Sequence, residues 1–231
     1  TPHLLRALED FPDAPGLVTW IYPFDEYHAW TFGAADRVHE VFFGDWFVRA
    51  AVNRGFPLST VVTTENFLKA REAKPDLFRA SVLTCPAPEP GSPLAAALLE
   101  EVRNGGRVLL YGPLTHADPR LLTALGLQLA EPLSGVLQIK VSLPTDGPAG
   151  DQVTPSQVHL RETTSGGGVD AMSAESSRDG VLAEVTAGDQ TRAFAVTRQA
   201  EAGGGRIGWV RGALCEEIRP SEMLPVRDDP R

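Results

Sequence analysis

The chain has 231 residues, of which 42% are hydrophobic and 22% charged, proportions typical of a globular protein with one large domain or two small ones. Its formal net charge of −9 argues against a nucleic-acid-binding surface and against binding to an anionic membrane. No apolar run approaches the roughly 20 residues that a membrane helix needs. Two cysteines are too few for a disulfide framework and favour a reducing compartment, so the sequence predicts a cytoplasmic location.

The first half of the chain alternates apolar strands with helices. The sequence begins at Thr1, with no Met and no signal-peptide pattern, so we expect an excised domain or a processed product. If the domain is excised, the missing signal does not indicate where the parent protein is located. In chain order the patterns predict a lead-in helix within residues 1–15, a strand at 17–22, an aromatic and charged loop at 24–35, a helix at 37–54, a strand at 58–63, a turn or short helix at 65–74, and a strand at 81–84 that Cys85 and Pro86 end.

The stretch from Ser92 to Tyr111 predicts one helix followed by one buried strand. Ser92 is a good N-cap, and the proline after it suits the first helical position, where its missing N–H costs nothing. Apolar residues recur on one helix face, and Glu100, Glu101 and Arg103 are expected to face water. The unbroken apolar run 108–111 is typical of a strand covered on both faces. A further helix is predicted to begin at Asp118 and end at Gly126.

The composition changes after residue 132. Alternating patterns there predict half-buried antiparallel strands at residues 136–141, 158–161, 181–185, 193–197 and 206–210. Strand–helix alternation in the first half predicts an α/β fold: a flavodoxin-like, doubly wound parallel sheet with helices on both faces, and an added antiparallel β portion in the C-terminal half. We expect a lead-in segment at 1–16, the core at 17–135, an extension completing the same domain at 136–218, and a polar tail at 219–231.

Three stretches carry a resemblance to a known family. They are a helix–glycine–strand phrase at Val41–Leu58, a Val-x-x-Gly-Gly-x-Val-Leu-Leu core within Leu98–Tyr111, and a strand pair around a glycine-rich turn within Arg192–Val210. Together they resemble the class I glutamine-amidotransferase-like domain, as in the trimerisation domain of family-42 β-galactosidases. The resemblance implies a flavodoxin-like core, a carbohydrate-active parent protein and a role in oligomerisation.

Amidotransferase chemistry needs a cysteine at a sharp strand-to-helix elbow, backbone N–H groups for an oxyanion, and a downstream His-x-Glu. The expected elbow strand, 108–111, is followed by Gly112-Pro113-Leu114, with no cysteine or serine. Cys85 comes one unit too early, and Pro86 after it has no N–H to donate. His159-Leu160-Arg161-Glu162 has the wrong spacing. The sequence therefore predicts that the domain does no glutaminase chemistry.

Ligands of doubly wound sheets bind at the carboxyl ends of the strands. The candidate ligand-binding residues at those ends are Asp25, Glu26, His28, Trp30, Glu65 and Asn66. The acids can accept sugar hydroxyls, and Trp30 can stack on a pyranose ring. In the alternative, favoured interpretation, Trp30 and Phe32 fill the core edge or an oligomer interface and the acids are solvated. Asp25 and Glu26 are adjacent and point apart, which argues against a glycosidase acid–base pair.

Three functional hypotheses follow. The first is a non-catalytic domain that acts in oligomerisation or shapes an active-site rim, with the rest of a larger polypeptide or like subunits as partners. The second is a small Cys-dependent hydrolase or amidotransferase-like enzyme using Cys85 with His116 or His28, although Cys85 is most simply a buried strand residue. The third is a sugar-binding module using the segment after the first strand. No metal is predicted, since His28, His39 and His116 lack a ligand spacing, and no cofactor, since neither glycine run precedes a helix after a buried strand.

Overall fold

In the computed structural model, the residues described are 14–33, 48–49, 51–53, 55–133, 136–141, 158–162, 169–174, 180–200 and 204–211. Within them the helices are α1 (Phe24–Gly33), α2 (Thr64–Ala73), α3 (Pro93–Arg103) and α4 (Pro119–Leu125), and residues 48–49 and 51–53 are also helical. The strands are β1 (Val18–Tyr22), β2 (Leu58–Thr63), β3 (Val82–Pro86), β4 (Arg107–Tyr111), β5 (Leu127–Leu133), β6 (Val136–Val141), β7 (Val158–Glu162), β8 (Val169–Ala174), β9 (Val181–Ala187), β10 (Gln190–Gln199) and β11 (Arg206–Val210).

These strands form one sheet with a parallel half and an antiparallel half. The parallel half has the order β2-β1-β3-β4-β11, and the sheet continues through β10, β9, β6 and β7 by antiparallel pairing. Strand β8 pairs with both β10 and β5 beside this path. Counting β11 as the fifth parallel strand gives the order 2-1-3-4-5, the flavodoxin-like order. The predicted fold class, a parallel α/β core with an antiparallel addition, is confirmed.

The last described strand joins the two halves. Strand β11 lies parallel to β4, with Trp209 opposite Leu110, and antiparallel to β10, with Trp209 opposite Val196. The indole of Trp209 is buried, and its Nε1 donates a hydrogen bond to the Gly112 carbonyl at 2.9 Å. The antiparallel strands thus leave the parallel core after α4 and return to it at β11.

Local capping signals place α3 and α4 where the sequence predicts them. The Ser92 hydroxyl accepts a hydrogen bond from the Leu94 backbone N–H at 3.2 Å, and proline occupies the first helical position. The Asp118 carboxylate likewise accepts from the Arg120 backbone N–H at 2.9 Å. Gly126 ends α4 in the left-handed conformation, with φ of 65°, which glycine adopts without steric cost.

Other predictions need correction. Residues 24–33 form α1 instead of a loop, because two acids in the first turn favour the helix N-terminus and Tyr27 and Trp30 share a buried face. Strand β3 extends through Cys85 to Pro86, which pairs with Tyr111. Strands β5 and β8 have no counterpart in the predicted elements. The lead-in helix, most of the helix predicted at 37–54, and the polar tail lie outside the described residues.

Glu101 is a further correction, because it is buried instead of facing water. Its carboxylate accepts from Arg71 Nε at 2.6 Å, while Arg71 Nη2 lies 2.9 Å from the exposed Glu100 carboxylate. Arg71 lies on α2 and Glu101 on α3, so this ion pair joins the two helices. The helix pattern predicted that Glu101 faces water because it is charged. It is buried instead because Arg71, on another helix, compensates its charge.

Candidate functional site

The carboxyl ends of the parallel strands lie at one edge of the sheet, the edge where ligands bind in this fold class. Strand β1 leads through Pro23 into α1, and β2 leads directly into α2 at Thr64. Strand β3 is followed by a loop that Asp118 holds, since its backbone N–H donates to the Pro88 carbonyl at 2.8 Å. Strand β11 ends next to Arg211.

The predicted binding residues on α1 differ in their exposure to solvent. The Tyr27 backbone N–H donates to the Pro23 carbonyl at 2.8 Å, which makes Pro23 the N-cap of the helix. Tyr27 and Trp30 are buried, with ring centroids 5.5 Å apart, whereas Asp25 is exposed. Glu26 is half-buried. The predicted binding residues on this helix therefore do not share one accessible face.

Buried and half-buried aromatic side chains cluster between the ends of β1 and β4. The Trp20 indole donates to the Tyr111 hydroxyl at 2.9 Å, and the rings of Tyr22 and Tyr27 meet edge to face at 5.6 Å. Burial raises the pKa of Tyr111 well above its usual value, and the neighbouring Tyr27 adds to the effect. The Tyr111 hydroxyl therefore remains a neutral hydrogen-bonding group, and the aromatic cluster fills this part of the edge by packing.

Cys85 lies inside β3 and is fully buried. Burial raises the pKa of the Cys85 thiol, and the negative charge of Glu26 raises it further. A catalytic cysteine needs the opposite shift, because the thiolate is the nucleophile. The histidines proposed to activate it lie in other settings: His28 is exposed and stacks on Phe32 at 5.0 Å, and His116 is half-buried just before Asp118.

We expect native Cys85 to resist alkylation by iodoacetamide from pH 5 to 9, and to react at the ordinary rate once the chain is unfolded. The folded pKa lies above the unfolded value of about 8.5, so the thiol stays protonated across this range as well as inaccessible. Mass spectrometry of peptides from a Cys215→Ser background would measure the modification. Rapid labelling of the folded chain near neutral pH would contradict this structure and favour the Cys85 hydrolase hypothesis.

The other predicted binding residues lie on or beside α2. Glu65 is exposed and pairs with Lys69 one turn later, which lowers the pKa of Glu65. Asn66 is exposed, and its backbone N–H donates to the Thr63 hydroxyl at 3.3 Å to cap the helix. Trp30, proposed to stack on a sugar or to build an interface, is 8% exposed and packs inward. The Trp30 ring is therefore not accessible for stacking on a sugar.

Two polar residues at this edge are not among the predicted binding residues. Arg211 follows β11 and is 7% exposed, with its backbone N–H donating to the Phe194 carbonyl at 2.8 Å. Thr64 begins α2 and is 9% exposed. Arg211 has a signal, a cation directly after an apolar strand, but only a parallel β11 brings it to this edge. Thr64 has no such signal in the sequence, because its neighbours are compatible with either a strand end or a helix cap.

Within the described ranges, no three His, Cys, Asp or Glu side chains gather as they would around a metal ion. No helix in those ranges is both long and apolar enough to span a membrane.

No known protein family and no curated protein matches this sequence. Among solved structures, the chain is similar to a putative ThuA-like protein of Bacteroides uniformis ATCC 8492, with 13% identity and a TM-score of 0.47 over 88% of this chain and 84% of that one. The fold class of this chain rests on its own strand order, and the narrower resemblance to the trimerisation domain stays a prediction.

Proposed function

We propose that this chain is a non-catalytic, amidotransferase-like domain of a larger carbohydrate-active protein, and that it acts in oligomerisation with like subunits. The observation that carries the proposal is an aromatic stripe on the exposed side of α1. Two parts of the proposal rest on the sequence alone. The carbohydrate-active parent is supported by the three stretches of resemblance, and the cytoplasmic location is supported by the small number of cysteines.

Amidotransferase chemistry needs an accessible nucleophile at the turn after the elbow strand, and the described part of the chain offers none there. The turn after β4 holds Gly112 and Pro113, and the Gly112 carbonyl is occupied by the Trp209 indole. Cys85 is buried with a raised pKa. A reactive group needs access to substrate and a matched pKa, and Cys85 has neither. These facts favour an assembly role over a hydrolase.

The aromatic stripe consists of Phe24, His28 and Phe32, which follow one another at i, i+4 and i+8 on α1. Phe24 is 57% exposed and Phe32 is 79% exposed, and the Phe32 ring contacts the His28 ring. Helix α1 thus buries aromatic residues on one side and, among the residues that the structure describes, presents others to solvent on the opposite side. Aromatic residues are enriched at interfaces, where such a surface is removed from water.

Self-association through the stripe predicts that the mass of the purified chain rises with concentration. We expect sedimentation velocity to show oligomers for the wild-type chain and a monomer for the Phe24→Ser/Phe32→Ser variant at the same concentrations. Both phenylalanines are well exposed, so the substitutions remove interface area without opening the core. Circular dichroism would verify that the variant keeps its secondary structure.

Leu129→Ser is the matched control, because Leu129 is an apolar residue that is 47% exposed on β5, away from α1. This control is expected to assemble like the wild type. A wild-type chain that stays monomeric at every concentration would sink the proposal. So would a Phe24→Ser/Phe32→Ser variant that assembles as well as the control.

A further inference from the structure

Two buried oxygen atoms at neighbouring strand ends have no hydrogen-bond partner among the described residues. They are Oε2 of Glu26, in the first turn of α1, and Oγ1 of Thr64, at the start of α2. Buried polar atoms in folded proteins are nearly always hydrogen-bonded, so each exception calls for a physical cause. A carboxylate oxygen left in this state is especially costly because it carries charge.

The cause of the unpaired Glu26 oxygen is local. Glu26 is the third residue of α1, a position from which a glutamate side chain commonly accepts a hydrogen bond from the N-cap backbone N–H. Here the N-cap is Pro23, which accepts the first helical hydrogen bond but has no N–H to donate. The helix therefore has an acid where its dipole favours one, without the usual backbone partner.

The two residues follow neighbouring parallel strands of the sheet. Strand β1 lies between β2 and β3, and the register pairs Tyr22 at the end of β1 with Thr63 at the end of β2. Glu26 follows the first of these residues and Thr64 follows the second. Glu26 also lies close enough to Cys85 on β3 for its charge to act on the thiol. Ligands of doubly wound sheets bind at the carboxyl ends of the strands, and both residues follow such an end.

We propose that the carboxyl end of β1 binds the primary ammonium group of a small molecule, with Glu26 and Thr64 as its hydrogen-bond acceptors. A carboxylate only accepts hydrogen bonds, and an ammonium group supplies three donors from a single nitrogen. One such nitrogen can therefore satisfy both oxygens and also neutralise the charge of Glu26. Hydrogen bonds of this charge-assisted kind are about twice as strong as neutral ones.

A neutral sugar is the rival ligand, and the observations favour it less. Its hydroxyls can donate to Glu26 but leave the carboxylate charge uncompensated in a partly buried position. Stacking would need an accessible aromatic ring beside Glu26, but Tyr27 and Trp30 are buried. The exposed Phe24 lies two positions before Glu26 on the helix and so does not share its face. The net charge of −9 adds a general attraction for a cation. The proposal concerns a site on α1 and α2 and does not depend on self-association.

The test is a titration of the full chain with propylammonium chloride, followed by backbone amide resonances in two-dimensional NMR. We expect saturable shifts centred on Glu26 and Thr64, with a dissociation constant in the millimolar range typical of so small a probe. Trimethylpropylammonium, which has the charge but no N–H donor, and 1-propanol, which has a donor but no charge, are expected to bind at least about tenfold more weakly.

The variants separate a site from general charge attraction. Glu26→Gln is expected to weaken propylammonium binding about tenfold or more and Thr64→Val about threefold, following the usual values for charged and neutral hydrogen bonds. Asp25→Asn removes the same charge from the neighbouring exposed residue and is expected to bind like the wild type. Equal losses in Asp25→Asn and Glu26→Gln, an unaffected Thr64→Val, absence of saturable shifts, or galactose binding as tightly as propylammonium would each overturn the proposal.

Thermal unfolding gives a second, independent readout. If Glu26 is kept for binding, it is held at a cost to stability, and Glu26→Gln is expected to melt no lower than the wild type. Asp25→Asn again serves as the control. A clear loss of stability confined to Glu26→Gln would assign Glu26 a structural role and overturn the binding site.

Discussion

Replacing Gly205 with alanine is expected to lower the free energy of unfolding by about 3 kcal/mol, the upper end of the range for over-packing. A Cβ at this position would lie 1.9 Å from the Val102 carbonyl oxygen and 2.8 Å from the Gly106 carbonyl oxygen. Both obstacles are backbone atoms, one near the end of α3 and one just before β4, so neither can move aside as a flexible side chain would. The Arg206 N–H also donates to the Gly106 carbonyl at 3.0 Å, which holds the turn in place.

Gly204→Ala is the matched control for this prediction. Gly204 has φ of 71°, so alanine there costs about 1–2 kcal/mol of backbone strain, but nothing lies within 4 Å of the added Cβ. Urea unfolding followed by tryptophan fluorescence would measure both variants. We expect Gly205→Ala to lose clearly more stability than Gly204→Ala. Equal losses would mean that strand β11 does not sit this tightly against the end of α3.

The sequence predicted those parts of the fold that local chemistry decides. Helices α3 and α4 follow from Ser92, Asp118 and Gly126, because caps act over three or four residues. The same reasoning could predict a turn at 203–205, but not that Gly205 is pressed against α3. The parallel pairing of β11 with β4 is likewise a contact between residues about 100 positions apart, which no local period reveals.

The candidate site was harder to predict than the fold, for two physical reasons. The many aromatic and charged residues after β1 suggested a loop, although Tyr27 and Trp30 at i and i+3 are also compatible with a helix face. Residue type alone could not show that Trp30 is buried and Phe32 exposed. The polar atoms of interest, in Glu26 and Thr64, are distinguished by the partners they lack, and that is a property of the folded chain.

Replacing Arg71 with methionine is expected to destabilise the fold by about 3–5 kcal/mol, the usual cost of removing one partner from a buried ion pair. The Glu101 side chain is only 6% exposed, and Arg71 Nε is 2.6 Å from its carboxylate. Methionine keeps most of the apolar length of arginine and the helix propensity of α2, so the loss reports chiefly the uncompensated charge. Chemical unfolding of the wild type and the variant at neutral pH measures it.

The double variant Arg71→Met/Glu101→Met decides between a charge effect and a packing effect. Well-packed apolar residues often replace a buried ion pair without loss, so the double variant is expected to regain most of the stability that Arg71→Met loses. Glu100→Gln removes the other, 56% exposed partner and is expected to cost no more than about 1 kcal/mol. The alternative result is that the double variant loses as much free energy of unfolding as Arg71→Met and Glu101→Met lose together. Side-chain packing would then hold the two helices together, and the ion pair would contribute little.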